Sequence, residues 1–454
     1  MKYLAIGLMI SSAVAISLAN AGKSAAPGAA KLREMGPAGL EKALAAYDSV
    51  SQRMKKPNPE TSVRLAKQVD QVAAQRHATI SRLYWYTDLE KAKVAASELG
   101  KPILSLRMLG KLTDEFSCAN SRFFRTALYA NESISKVMRE KFVLHWQTVR
   151  PVPKVTIDFG DGRKIERTVT GNSAHYVLDA NGRPLDVLPG LYSPKEFQAW
   201  LERVETWFAA RAKAKHPMSY ASAVTLYHNF QQQELLKRWE SDLKQAGLEA
   251  ALREKALLVT ENNANGEFPA AAKAAAVAVP KGRAERPLIT VLGQDPAQVE
   301  SRMNEEAWQK IASLHRIDTK LDRQTVNLMR QENPNALQAG ALAGSKFIVE
   351  DPILKMVRNF EDSITFDTVR NEYLLHRQIH QWFIDGSALT DLDTLNERVY
   401  AELFLTPSSD PWLGLAPADA YTALDSGGLN WQPFTASRFA VPQPSAKINT
   451  KLNK

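Results

Sequence analysis

The stretch that decides the fold runs from Gly100-Lys101-Pro102-Ile103-Leu104-Ser105-Leu106 to Phe116-Ser117-Cys118-Ala119-Asn120-Ser121. Residues 101–109 form a short apolar run bounded by Gly100, which reads as a strand. The segment before it, Asp88 to Leu99, carries alanines at 92, 95 and 96 and stops at Gly100, which reads as a helix with its terminator. Cys118 falls where the strand hands over to the next helix. It is the only cysteine of the chain, so it can react with a partner or a small molecule but cannot close a disulfide within its own chain.

Outward from this point the alternation of helix and strand continues from about 79 to 205. Residues 121–129 and 133–141 read as helices, and Phe142-Val143-Leu144-His145-Trp146 as the next strand. Residues 155–159 and 164–169 flank Gly160-Asp161-Gly162-Arg163, whose Asp-Gly pair signals a tight hairpin. Next come His175-Tyr176-Val177-Leu178, a turn at 179–182, a short strand at Pro184-Leu185-Asp186-Val187-Leu188 and a closing helix over 194–210. Strands joined by helices early and by turns late imply a small mixed sheet covered by helices, assigned here to residues 79–210.

Before this domain, Met1 to Leu18 is apolar or small, and Ala19-Asn20-Ala21 offers the small-x-small pattern of a signal-peptidase site. Residues 1–21 therefore read as a signal peptide, and the expected location is periplasmic or extracellular. Residues 22–78 read as a flexible lead-in followed by helices over 38–54 and 61–82, separated by Pro57 and Pro59. Residues 218–430 read as a larger, mainly α-helical domain, with segments at 219–246, 296–317, 318–331, 351–386 and 392–405 and a mobile loop at 262–287. Residues 431–454 read as a tail. No apolar stretch after the leader approaches the length of a membrane span. The formal charge of +9 is spread along the chain without a basic-aromatic platform, which argues against nucleic acid as a partner. Neither a Gly-x-Gly-x-x-Gly loop nor a Gly-x-Ser-x-Gly elbow is present, so nucleotide enzymes and conventional serine hydrolases rank low.

The order of elements from Trp85 to Leu201 resembles the thioredoxin-like fold of secreted proteins. Trp85-Tyr86, the alanine-rich helix, Gly100 to Leu104, Cys118 at a helix start, the late Tyr176 to Gly182, and Pro189-Gly190-Leu191 with Phe197 to Leu201 carry the resemblance. It implies an attacking thiol at Cys118. Where the family has Cys-x-x-Cys, this chain has Cys118-Ala119-Asn120-Ser121, so Ser121 replaces the resolving cysteine. Where the family places a cis-proline before the late strand, this chain has Ser173, with His175 two residues on. The hairpin over 155–169 is an insertion relative to the minimal fold. Both site departures argue against dithiol exchange and leave monothiol chemistry: a mixed disulfide, a sulfenic acid or soft-metal capture. A helix N-terminus, or a protonated His175 facing the sulfur, would favour the thiolate. The competing reading of Cys118 is a small buried hydrophobe among Phe116, Phe123 and Phe124.

A second constellation lies in the helical region. Glu372, His376 and His380 recur at steps of four, so all three point to one side of a helix and offer a carboxylate and two imidazoles to a metal, with Glu397, Glu402 or Asp410 as the further ligand. The competing reading is a salt-linked polar ladder with His380 packed against Trp382 and Phe383. Leu403 to Leu415, with Pro407, Pro411 and Trp412, reads as a segment wrapping a helix end. The sequence thus points to an exported, non-classical thioredoxin-like protein that binds a protein or small-molecule thiol partner. Its alternatives are a monothiol redox or peroxide-reactive enzyme and a metal-binding protein; no cofactor beyond that metal is expected.

Overall fold

A computed structural model gives the fold and describes residues 28–53, 59–168, 171–248, 305–332, 352–410 and 413. The signal peptide, the loop at 262–287, the tail, and Pro411 and Trp412 lie outside the described residues. The described residues belong to one compact unit, Met1–Leu415.

Helices α1 (Ala29–Glu34), α2 (Pro37–Arg53) and α3 (Pro59–Ala73) pack around Leu32, Leu40, Leu44, Val69 and Val72. Sequence periodicity predicts one helix over 61–82, but α3 ends at Ala73 and a single turn, α4 (Ala78–Ser81), follows. Ala74, His77 and Arg82 have φ of +54°, +61° and +55°, a conformation that costs an L-residue about 1–2 kcal/mol. The break serves a buried partner. The indole Nε1 of Trp85 donates to Gln75 Oε1 at 2.6 Å, and Gln75 Nε2 donates in turn to Ser81 Oγ at 2.9 Å. A continuous helix would carry Gln75 away and leave the indole unsatisfied in the core.

The sheet region begins with α5 (Leu89–Leu99), capped by the Asp88 carboxylate on the Glu90 and Lys91 amides and closed by Gly100 at φ +62°. Then follow β1 (Ile103–Leu109), α6 (Ala119–Phe123), a π-helical turn at Phe124–Leu128, α7 (Glu132–Lys141) and β2 (Val143–Arg150). The ribbon β3 (Lys154–Asp158) and β4 (Lys164–Thr168) precedes β5 (Ser173–Leu178), β6 (Pro184–Pro189) and α8 (Pro194–Ala212). The main sheet has four strands in the order β2-β1-β5-β6, while β3 and β4 pair only with each other. Strands β1 and β2 are parallel, as their helical crossover requires; β5 is antiparallel to both β1 and β6. Every residue of β1, β5 and β6 is buried, as expected for strands covered on both faces. A mixed sheet with helices, followed by a mainly helical region, is thus present as the sequence predicts.

The helical region comprises α9 (Tyr220–Gln245), α10 (Glu305–Leu314), α11 (Arg323–Glu332), α12 (Pro352–Arg370), α13 (Arg377–Ile384) and α14 (Leu392–Arg398). A π-helical stretch, Asn371–His376, joins α12 to α13, and another, Val399–Leu403, continues α14. The helix expected from 318 is delayed to Arg323 by a 3-10 turn over Arg316–Thr319. Sheet and helical regions share one apolar core, in which Leu104, Tyr176, Leu188 and Trp200 pack in one cluster with Ile379, Phe383, Leu395 and Tyr400. Polar ties reinforce the junction. Tyr176 OH donates to Asn396 Oδ1 at 3.1 Å, and Arg107 pairs with Asp393 at 3.2 Å. Arg150, at the end of β2, donates to the carbonyl oxygens of Thr406, Pro407 and Asp410 at 2.5, 3.2 and 3.0 Å. The segment after Leu403 therefore wraps the open end of β2. Replacing Arg150 with Ala should lower the unfolding free energy by about 2 kcal/mol, since charged donors to these carbonyls are lost together. An unchanged urea midpoint would show that this wrap does not depend on Arg150.

Candidate functional site

Cys118 is the N-cap residue of α6 and is 0% exposed. Its Sγ accepts from the Ser121 amide at 3.4 Å. The Ser121 hydroxyl points elsewhere, donating to Ser117 Oγ at 2.9 Å, and Ser117 Oγ also accepts from Arg125 Nη1 at 2.9 Å. The chain returning from the β3–β4 ribbon presses directly on the sulfur-bearing carbon. A Cβ on Gly171 would lie 2.4 Å from Cys118 Cβ, and Gly171 has φ +110°, so only glycine fits here. Next to it, the carbonyl of Asn172 accepts from Tyr400 OH at 2.8 Å, which brings the π-helical stretch after α14 over the same loop. Ser173, in register with Met108 of β1, is fully buried and its hydroxyl makes no hydrogen bond. Cys118, Ser121 and the loop into Ser173 are thus brought together, as the sequence implies, but beneath a sealed surface.

His175 takes another role. Its Nε2 meets Tyr129 OH at 2.7 Å, and its ring lies edge-on to Phe124 and Phe197 at 4.5 and 4.8 Å between centroids. Burial pushes its pKa down to about 3, so it is neutral and supplies no positive charge to favour a thiolate. His145 on β2 is likewise neutral: burial, with a smaller push from Arg107, lowers it to about 4, and its Nδ1 meets Ser105 Oγ at 2.8 Å.

A second group of functional side chains lies where β6 meets the helical region. Asp186 interrupts the apolar strand Pro184-Leu185-Asp186-Val187-Leu188 and is fully buried. Its Oδ2 accepts from Trp200 Nε1 at 3.0 Å and Tyr227 OH at 3.1 Å; its Oδ1 accepts from the Val187 amide at 2.8 Å and faces His376 Nε2 at 3.3 Å. His376 Nδ1 meets Glu372 Oε2 at 3.0 Å, and Glu372 Oε1 accepts from Arg238 on α9. Burial alone would lower the His376 pKa, but the two carboxylates raise it to about 9. Burial would raise Asp186 and Glu372; the His376 cation holds both well below the usual carboxylate range, helped at Glu372 by Arg238. The result is a charge-alternating chain, Asp186–His376–Glu372–Arg238, that needs no solvent to neutralise it.

The Glu372/His376/His380 ladder does share one side: the His376 and His380 rings lie 4.2 Å apart. Glu372, however, is committed to His376 and Arg238 rather than held with the two imidazoles for a metal. The group whose donor atoms lie within 4.8 Å of one another is Asp186, His228 and His380, all buried, and such a group could hold a metal ion. Sequence reading missed Asp186 and His228. Each nonetheless left a signal, Asp186 as a carboxylate inside an apolar strand and His228 as an imidazole one helical turn beyond Val224, a core position of α9. Beside Glu372 a cleft of about 30 Å³ is lined by Glu196, Arg238, Asp318, Thr319, Thr365 and Thr368 among others, room for a water molecule rather than for an organic ligand.

No family model matches this chain, and neither a characterised protein nor a solved structure shows significant similarity to it. Among the described residues, no helix is long and apolar enough to cross a membrane.

The buried neutral histidines make acid stability a direct test of the geometry. His145 and His175 have folded pKa values lowered from 6.5 to about 4 and about 3. Below pH 6.5 the unfolded chain takes up protons that these folded sites refuse, so stability falls as pH is lowered. Each contributes a loss of roughly 1.4 kcal/mol per pH unit until its folded pKa is reached. Denaturant titrations between pH 7 and 5 should show a steep decline; a flat profile would mean that these rings are hydrated in solution.

Proposed function

We propose that this chain is an exported thioredoxin-like protein that acts by binding a protein partner, with its thiol packed away and no dithiol exchange. Export rests on the leader pattern of residues 1–21. The thioredoxin-like reading is supported by the sheet order β2-β1-β5-β6, with β1 and β2 parallel and the other pairs antiparallel, and by Cys118 capping the first helix after β1.

The observation that carries the reading is the complete burial of Cys118 under Gly171. Thiol–disulfide exchange requires a thiolate to reach the incoming disulfide, and at zero exposure none can approach. Ser121 cannot resolve a mixed disulfide, and its hydroxyl is turned to Ser117. The inserted ribbon supports binding instead. Ile157 and Ile165 sit directly opposite each other, with Phe159 two residues beyond Ile157, and they are 46%, 39% and 51% exposed. An exposed two-stranded ribbon with one apolar face and unpaired outer edges suits a protein partner that adds an extended segment or covers the face.

Thiol titration tests this directly. Native protein should leave Cys118 unlabelled by a disulfide reagent, release one equivalent on unfolding, and fail to reduce insulin disulfides. Gly171→Ala should admit the reagent, because its methyl group must displace Cys118 or the loop. Rapid native labelling of the unaltered protein, or insulin reduction above background, would overturn the reading and favour a monothiol enzyme using Cys118.

A further inference from the structure

We propose that Asp186, His228 and His380 form a buried binding site for one divalent first-row transition-metal ion, with the two imidazole Nδ1 atoms and one carboxylate oxygen as its protein ligands. The donors come from β6, α9 and α13, so the site would clamp the sheet to two helices. One donor atom from each residue lies within 4.8 Å of the others.

The tautomers already suit this role. His228 Nε2 lies 3.0 Å from the Leu185 carbonyl oxygen, which can only accept, so the proton of a neutral His228 sits on Nε2 and the Nδ1 lone pair is left facing inward. A ligating histidine characteristically donates its other N–H to such a carbonyl or to a carboxylate. The inward Nδ1 of His228 meets His380 Nδ1 at 2.8 Å. Without a metal these two nitrogens need a shared proton between them; a metal at 2.0–2.1 Å from each would hold them roughly 3.3 Å apart, a small opening. Phe383 stacks on the His228 ring at 4.1 Å between centroids and 1° between planes, which fixes the direction of its lone pair.

The carboxylate is equally well supported. Trp200, Tyr227 and the Val187 amide orient Asp186, and the His376 contact, at 3.3 Å the longest of its four, is the one to yield a lone pair to a cation. Tyr192, whose ring lies 6.5 Å from that of His376, is fully buried and its hydroxyl makes no hydrogen bond, so an unsatisfied polar atom already stands in this neighbourhood. Two neutral imidazoles and one carboxylate, without a thiolate, select zinc, cobalt, nickel or copper over calcium or magnesium. Three protein ligands leave a fourth position for water.

The test uses the full chain without a histidine tag. Elemental analysis after gel filtration should find about one equivalent of transition metal per chain. After removal by a chelator, the melting temperature should fall, and refolding with Co²⁺ should restore it and give the visible absorption of a four-coordinate site. His228→Gln and His380→Gln should each weaken Co²⁺ binding by more than about 100-fold, beyond the loss typical of an outer-shell partner. The same change at exposed His216 should have no effect. Should either variant fail to fold, the unaltered protein decides alone. Absence of stoichiometric metal together with no Co²⁺ spectrum on refolding would overturn the site, as would Co²⁺ binding that persists in both folded histidine variants.

Discussion

A single ionised side chain, Asp186, holds the two halves of this protein in register. A carboxylate buried without partners would cost several kcal/mol, enough to outweigh much of the stability of a domain. Here it is surrounded by donors from elements far apart in the chain: Trp200 from α8, Tyr227 from α9 and His376 from the π-helical stretch before α13. Each donor is useful only when its helix is docked, so the carboxylate converts generic apolar contact into one arrangement of helices on the sheet. The alternation continues outward through Glu372 to Arg238, which is half in solvent, so the buried charges end at water.

That docking also governs the thiol. In the isolated sheet region, the loop Gly171-Asn172-Ser173 and the cap at Cys118 would form an edge of the kind that thioredoxin-like proteins present to substrates. The helical region turns this edge into interior. Tyr400 takes the Asn172 carbonyl, Asn396 takes the Tyr176 hydroxyl, and Arg150 gathers the carbonyls after Leu403. The cysteine keeps its place as a cap and gives up its access.

Local signals carried much of this into the sequence. The Asp88 cap, the Gly100 stop, the Asp-Gly turn at 161–162 and the period-two runs of β1 and β5 are short-range, and the elements they mark are all present. The misreadings were tertiary. Helix α3 stops at Ala73 because Trp85, ten residues beyond Gln75, needs a hydrogen-bond partner, and nothing within residues 61–82 announces that need. The ladder at 372, 376 and 380 was legible as a face of one helix, but its partners Asp186 and His228 lie on β6 and α9, at distances along the chain that no periodicity spans. His175 was legible as a strand residue near the thiol, whereas its facing toward Tyr129 was not, since a strand side chain can take either side.

Three helical segments change from α to π winding, at 124–128, 371–376 and 399–403. A π turn accommodates about one extra residue without breaking the helix. Removing a residue from 371–376 would restore ordinary winding and rotate everything downstream by about 100°. His380 would then swing away from His228 while every remaining residue kept its identity. In this part of the chain, length is therefore more tightly constrained than composition, and a one-residue deletion is a larger change than most substitutions.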